Sequence, residues 1–136
     1  MKVVLDTNVF ISSVFFGGQP GKILAAWRDG KIMLVLSTEI LEEYIEVLHR
    51  LEKLYPPVEA DPIIALVLAD SEIISVPPLN GPVSSDPDDD KFIACALKSG
   101  ANLIISGDKH LLAVSDYRGI KVVKPSEFLK ELPGRK

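Results

Sequence analysis

Cysteine, long apolar runs and positive charge are all scarce in this sequence. The single Cys95 excludes an internal disulfide, and its place in an apolar helical pattern indicates a buried thiol rather than a reactive one. The longest uninterrupted apolar run, at 63–69, is too short to cross a bilayer. Met1 and Lys2 lead directly into an apolar strand, without the apolar segment of a signal peptide. We therefore expect a cytoplasmic protein that has no membrane segment.

Positive charge falls short of negative charge: 15 Lys and Arg residues face 19 Asp and Glu residues, a net charge of −4. This balance argues against a dedicated nucleic-acid binder, because such proteins derive their affinity from a basic face. It is compatible with an enzyme that acts on nucleic acid, since a cluster of carboxylates that holds cations would account for much of the negative charge.

Short apolar segments alternate with helical segments along the chain. The predicted strands cover 2–5, 32–36, 73–76, 103–106 and 120–123. Strands of this composition are buried on both faces, so they predict a parallel sheet covered by helices, in an α/β fold. The predicted helices cover 9–16, 22–28, 39–54, a segment capped by Asp61, 86–100, 110–114 and 126–132. The length favours one domain, at 1–132, followed by a frayed tail at 133–136.

Two acidic residues directly follow predicted strands. Asp6 comes after the first strand, and Asp108 comes just after the fourth. In open α/β sheets, functional sites form outside the carboxyl ends of the strands. We therefore expect Asp6 and Asp108 to lie at the same edge of the sheet.

The run DPDDD at 86–90 opens a predicted helix. Asp86 is a good N-cap, and acids in the first turn favour the helix dipole. Asp90 differs from the others, because an ideal helical wheel aligns it with the apolar face formed by Ile93, Ala94 and Leu97. A carboxylate aimed at the core is costly unless it is paired or binds a metal. The wheel therefore favours Asp90 as a functional acid, ahead of Asp89, which lies to the side.

The helix at 39–54 carries four glutamates. Three of them point away from its apolar face on the helical wheel, whereas Glu43 lies nearest the edge of that face. Acids at two strand ends and on two helices would converge on one pocket and raise one another's pKa values unless a cation neutralised them. Oxygen donors without nearby His or Cys suit Mg²⁺ or Mn²⁺ rather than Zn²⁺. The chemistry implied is metal-assisted hydrolysis of a phosphodiester bond.

These motifs together resemble the PIN-domain ribonuclease family. The resemblance covers nearly the whole chain: LDTN at 5–8, the segment 37–44, DPDDDKFIA at 86–94, and SGD at 106–108 with LL at 111–112. It is strongest to the toxin components of toxin–antitoxin pairs, the VapC-like proteins. The resemblance implies a three-layer α/β/α fold around a five-stranded parallel sheet of order 3-2-1-4-5. It also implies a metal-dependent endoribonuclease, with RNA as substrate and an antitoxin protein as a possible partner.

The resemblance also assigns catalytic acids. The family's four acids fall on Asp6, Glu43, Asp90 and Asp108. Asp6, Asp90 and Asp108 would hold the Mg²⁺ or Mn²⁺ ion, directly or through water. Glu43 would orient the attacking water or help to hold a second ion.

Supporting residues follow from the same comparison. Asn8 matches a polar position that would fix Asp6, and Ser106 matches a hydroxyl position where many relatives have Thr. Asp89 is a further supporting acid. Lys91 and Lys109 lie beside the acids in sequence and are candidates for phosphate contacts, although solvated surface charges are an equal alternative. A homodimer would join two weakly basic surfaces into one track, with the apolar helix at 63–68 as a candidate contact.

Two other functions stay open at this stage. An aspartyl phosphatase or receiver domain also ends its first strand in acids, but it usually needs a second acid where this chain has Asn8. A PIN-like scaffold that binds RNA or protein without catalysis is the other alternative. All four acid positions are filled, so nothing in the sequence indicates an inactive site.

Overall fold

The computed structural model describes residues 1–15, 18–57, 59–77, 81–84 and 86–131. Its strands are β1 (Lys2–Leu5), β2 (Met33–Ser37), β3 (Ser71–Ile74), β4 (Leu103–Ile105) and β5 (Lys121–Val123). They form a single sheet in the order β3-β2-β1-β4-β5, and every neighbouring pair is parallel. The predicted α/β fold and the strand order 3-2-1-4-5 are confirmed.

Helices flank this sheet. They are α1 (Thr7–Phe15), α2 (Gly18–Arg28), α3 (Thr38–Leu54), α4 (Ala60–Asp70), α5 (Asp90–Ser99), α6 (Lys109–Leu112) and α7 (Pro125–Glu131), and a 3-10 turn, Pro87–Asp89, precedes α5. None of the described helices is both long and apolar enough to cross a membrane. The predicted frayed tail at 133–136 and the predicted helix ends at 16 and 132 lie outside the described residues.

The central strands are buried on both faces, as their composition predicts. Val3 and Val4 of β1, Leu34 of β2 and Ile104 of β4 have no exposed surface. Burial of one such side chain contributes roughly 1.5–3 kcal/mol relative to exposure. Because β1 pairs with both β2 and β4, the residue that follows β1 lies at the middle of the sheet's carboxyl edge.

Local end signals set most of the helix boundaries. The Ser37 side chain caps α3 by accepting a hydrogen bond from the Ile40 N–H over 3.2 Å. Gly100 ends α5 in the left-handed conformation, at φ 78°, where a side chain would be strained. Both helix ends fall within one residue of the predicted bounds at 39 and 100, because caps depend on a few neighbouring residues.

The segment from α4 to β3 differs from its prediction. α4 begins at Ala60, whose N–H donates to the carboxylate of Glu52 over 2.8 Å, so Asp61 does not cap this helix. β3 is Ser71–Ile74, two residues earlier than 73–76. Parallel pairing of β3 with β2 decides this register, and a local apolar pattern does not contain that pairing.

Candidate active site

Asp6 follows β1 at the centre of the sheet's carboxyl edge. Its N–H donates to the Ile105 carbonyl over 3.1 Å, so the chain stays attached to β4 as it leaves the strand. The side chain is only 7% exposed, and its Oδ2 accepts a hydrogen bond from the Ser106 hydroxyl over 2.7 Å. Its Oδ1 accepts a longer bond, 3.4 Å, from the Asn8 N–H. The carboxylate is therefore oriented from both sides.

Ser106 links the ends of β1 and β4. It is fully buried, and its hydroxyl both donates to Asp6 and accepts from the Asp108 N–H over 2.9 Å. Asp108 in turn caps α6, where its Oδ1 accepts from the N–H groups of His110 and Leu111. One serine hydroxyl thus fixes the relative position of the two strand-end acids, as expected for acids at one edge of the sheet.

A small cleft opens beside these two acids. It has a volume of about 290 Å³ and is lined by Asp6, Asn8, Val9, Ser12, Gly107, Asp108 and Pro125. Asn8 is exposed at its wall, and its main-chain N–H makes the hydrogen bond to Asp6. A larger cleft of about 860 Å³ lies elsewhere, between the 81–83 loop and the 114–118 loop, and contains none of the predicted acids.

The third acid at this edge is Asp89. Asp86 caps the 3-10 turn by accepting from the Asp88 N–H over 3.0 Å, and the turn carries Asp89 inward. Asp89 is only 8% exposed, and its buried Oδ2 has no hydrogen-bond partner among the residues that the structure describes. Asp6 and Asp108 are both close enough to affect its pKa. The carboxylates of Asp6, Asp89 and Asp108 therefore lie within electrostatic reach of one another.

Asp90 has a different environment from the one that the helical wheel predicts. Its two carboxylate oxygens accept hydrogen bonds from the N–H groups of Val83 and Ser84, over 3.1 and 2.7 Å, and it is half-buried. A helical wheel does not contain these partners, because they come from a loop outside α5, and a metal-binding role for Asp90 stays a prediction. Asp90 fastens the 83–84 loop to the start of α5.

The pKa values at this edge reflect burial and mutual repulsion. Burial, together with the charges of Asp108, Asp86 and Asp6, raises the pKa of Asp89 to about 6 against the opposing effect of Lys91. Burial also raises the pKa of Asp6, with added repulsion from Asp108 and Glu43, while the hydrogen bond from Ser106 opposes the change. Such repulsion among carboxylates is relieved when a cation binds between them.

Glu43 lies on α3 beside this group and is half-buried, unlike Glu39, Glu42 and Glu46, which are exposed. The wheel prediction for α3 is therefore confirmed. The Thr7 hydroxyl donates to Oε1 of Glu43, and the Lys91 ammonium lies 2.8 Å from its Oε2. Glu43 is near enough to Asp6 to raise the pKa of that carboxyl.

The two candidate lysines have different surroundings. The Lys91 side chain is only 9% exposed, so it is not a solvated surface charge. Lys109 is exposed at the start of α6, next to Asp108, where a contact with substrate stays a prediction.

Thr7 and Tyr44 were missed by the sequence analysis as supports of the site. Tyr44 is 1% exposed, stacks on Phe10 with ring centroids 4.2 Å apart, and donates its hydroxyl to the Leu5 carbonyl over 2.5 Å. That bond fixes the end of β1 immediately before Asp6. The position of Tyr44 on the apolar face of α3 was predictable from the sequence, but no local signal identified the partner of its hydroxyl.

The donor set suits a divalent cation. Asp6, Asp89 and Asp108 offer carboxylate oxygens alone, which are the ligands that Mg²⁺ and Mn²⁺ prefer. The unpartnered Oδ2 of Asp89 is an oxygen whose burial is costly without a cation or a donor. Within the described part of the chain, no three His, Cys, Asp or Glu side chains are already grouped to hold one ion. Binding by these acids would therefore use side-chain adjustment or intervening water.

Comparison with known proteins identifies the family. Residues 2–110 match the profile of a PIN domain. The chain is 36% identical over 142 aligned residues to an uncharacterized protein, MJ1680, of Methanocaldococcus jannaschii, and the alignment covers 96% of this chain and 91% of that protein. No solved structure matches the chain. PIN domains are typically nucleases, which agrees with a cluster of acids at the sheet edge. The chain belongs to the PIN-domain family.

Proposed function

We propose that this PIN domain is a metal-dependent endoribonuclease that hydrolyses RNA phosphodiester bonds with Mg²⁺ or Mn²⁺. The observation that carries the proposal is the meeting of Asp6, Asp89 and Asp108 at one edge of the sheet, with a buried and unpartnered oxygen on Asp89. Such an arrangement is costly in a protein that never binds a cation there.

The acids have separate roles in this proposal. Asp6, Asp89 and Asp108 would hold the ion, and Asp89 takes the position that the motif comparison gave to Asp90. Both oxygens of Asp90 already accept backbone N–H groups, so its role would be to position the turn that carries Asp89. Ser106 and the Asn8 N–H would keep Asp6 oriented toward the ion. A bound ion supplies Lewis-acid activation of water and neutralises charge on the phosphate.

The substrate assignment rests on charge and on the family. The proposed ion would offset the repulsion between the acids and a phosphate group, which the net charge of −4 otherwise opposes. The exposed Lys109, next to Asp108, would contact a neighbouring phosphate. A homodimer through the apolar α4, whose Leu68 is 51% exposed, would extend the RNA-binding track. We expect this activity in the cytoplasm.

A role as the toxin of a toxin–antitoxin pair is a finer form of the same proposal, and it rests on the resemblance of the motifs. Induced expression of the chain would then arrest bacterial growth, and D6N would not. Co-expression with the product of a neighbouring gene would relieve the arrest if that gene encodes an antitoxin. Growth unaffected by a soluble, active enzyme would remove the toxin role while leaving the nuclease.

The direct test is RNA cleavage by purified protein with Mg²⁺ or Mn²⁺, with EDTA as the metal-free control. We expect D6N to lose cleavage by more than the roughly 100-fold that loss of an outer supporting residue costs. D29N is the matched control, because Asp29 is exposed beyond α2, away from the proposed site. Equal cleavage by D6N and wild type would refute the assignment. A folded protein that neither cleaves RNA nor binds Mn²⁺ would favour the inert scaffold.

A further inference from the structure

Lys91 is an unusually enclosed lysine. Its side chain is 9% exposed, whereas lysines in proteins are seldom buried unless they are paired. The ammonium lies 2.8 Å from Glu43 Oε2, donates to the Asp88 carbonyl, and lies 4.9 Å from the centre of the Phe92 ring. These contacts therefore hold one positive charge in a fixed place next to Glu43.

Glu43 has both of its carboxylate oxygens engaged. The Thr7 hydroxyl donates to Oε1 and the Lys91 ammonium pairs with Oε2. A metal ion that used Glu43 as a ligand would have to displace a nearly buried ammonium from it. Displacement would leave that ammonium without its counter-charge, which is strongly unfavourable in a site of low exposure.

The carboxylates of Asp6, Asp89 and Asp108 differ from that of Glu43 in their partners. No lysine or arginine among the described residues forms an ion pair with Asp6, Asp89 or Asp108. The buried Oδ2 of Asp89 has no hydrogen-bond partner in the described part of the chain. Among the described residues, Glu43 is thus ion-paired with Lys91, whereas Asp6 and Asp108 have no ion pair with lysine or arginine and the charge of Lys91 acts on Asp89 without an ion pair.

We infer that Lys91 is a built-in cation that takes the place of a second metal ion, so that each chain binds one divalent ion, through Asp6, Asp89 and Asp108. This inference rests on the proposed function. Glu43 is then a positioning residue that anchors Lys91 and, through Thr7, the start of α1. Two-metal sites use a second ion to stabilise charge at the reacting phosphate, and here a fixed ammonium lies beside the acids instead.

Calorimetric titration with Mn²⁺ tests this inference without any need for turnover. Wild type should bind about one ion per chain, and E43Q should also bind about one, because Glu43 is not a ligand. D89N should lose the ion. K91M should expose Glu43 to a second ion, raising the stoichiometry to about two, and K91M/E43Q should return it to about one.

Matched variants distinguish the effect of a lysine's charge from the effect of its position. K98M removes the same charge from an exposed place on the same helix and should leave binding at about one ion per chain. K91R keeps a cation at position 91 and should also leave binding at about one ion per chain. If K91M does not fold, the wild-type and E43Q titrations still decide the question. Two ions on wild type, or loss of the ion in E43Q, would overturn this inference but leave the metal-dependent function standing. No ion on wild type would overturn both.

Discussion

The Ser106 hydroxyl donates a hydrogen bond to the Asp6 carboxylate over 2.7 Å, although 100 residues separate the two in sequence. The same hydroxyl accepts the Asp108 N–H, so a fully buried serine connects the acids at the ends of two adjacent parallel strands. Because the carboxyl ends of parallel strands meet at one edge, this connection follows directly from the pairing of β1 with β4.

Removal of this connection should weaken metal binding. We predict that S106A reduces Mn²⁺ affinity by about 10- to 100-fold, the usual effect of losing a group that orients a ligand. Titration calorimetry measures the change. S99A is a suitable control, because the Ser99 hydroxyl likewise accepts the N–H two residues on but donates only to the Ala96 carbonyl of its own helix. An affinity equal to that of wild type would mean that Ser106 does not orient Asp6 for an ion.

The acids at 89 and 90 should respond differently to the same substitution. D89N should abolish Mn²⁺ binding and RNA cleavage while leaving the free energy of unfolding unchanged or higher, because it removes a buried and repelled charge. Calorimetry and a cleavage assay measure the first effects, and urea denaturation measures the last.

D90N should mainly affect stability. An asparagine has one acceptor oxygen where Asp90 uses two, so one of the Val83 and Ser84 N–H bonds is lost. We expect a loss of about 1–3 kcal/mol in the free energy of unfolding, with a smaller loss of cleavage than in D89N. If D90N abolished Mn²⁺ binding and D89N retained it, Asp90 would be the metal ligand after all.

The pH dependence of stability should report the buried Asp89. In metal-free protein its pKa is raised from 3.8 to about 6, so between those values the folded chain holds a proton that the unfolded chain has released. Rising pH through this window therefore favours unfolding. D89N has no carboxyl to ionise at this position, so it avoids the cost of a buried charge. Its melting temperature in EDTA should exceed that of wild type at about pH 7 but not at about pH 4. The same difference in melting temperature at both pH values would contradict the raised pKa of Asp89.

The Tyr44 hydroxyl should stabilise the end of β1, which Asp6 follows. Y44F leaves the buried Leu5 carbonyl without its hydroxyl donor, so we expect a loss of about 1–3 kcal/mol in the free energy of unfolding. Y55F is the control, since Tyr55 is 57% exposed and should change stability by less than about 0.5 kcal/mol. Urea denaturation distinguishes them, and equal stabilities would show that the Tyr44 hydroxyl contributes nothing to the strand end.

Features that depend on neighbouring residues were predictable from the sequence. The apolar strands and the acids that follow β1 and β4 are consequences of local composition and of parallel-sheet geometry. The half-buried position of Glu43 follows from the period of α3, because most of that helix is regular. The caps Ser37 and Gly100 depend on only a few residues. The strand order came from the resemblance of the motifs rather than from periodicity.

The sequence by itself determined that acids gather at the carboxyl edge of a parallel sheet. Only the tertiary structure decided that Asp90 accepts two N–H groups of the 83–84 loop, whereas Asp89 is buried within electrostatic reach of Asp6 and Asp108, because these partners come from other parts of the chain. The pairing of Lys91 with Glu43 was equally hidden, since it joins helices distant in the chain. Periodic patterns encode which face of an element is buried, whereas side-chain partners depend on contacts between elements that no local pattern contains.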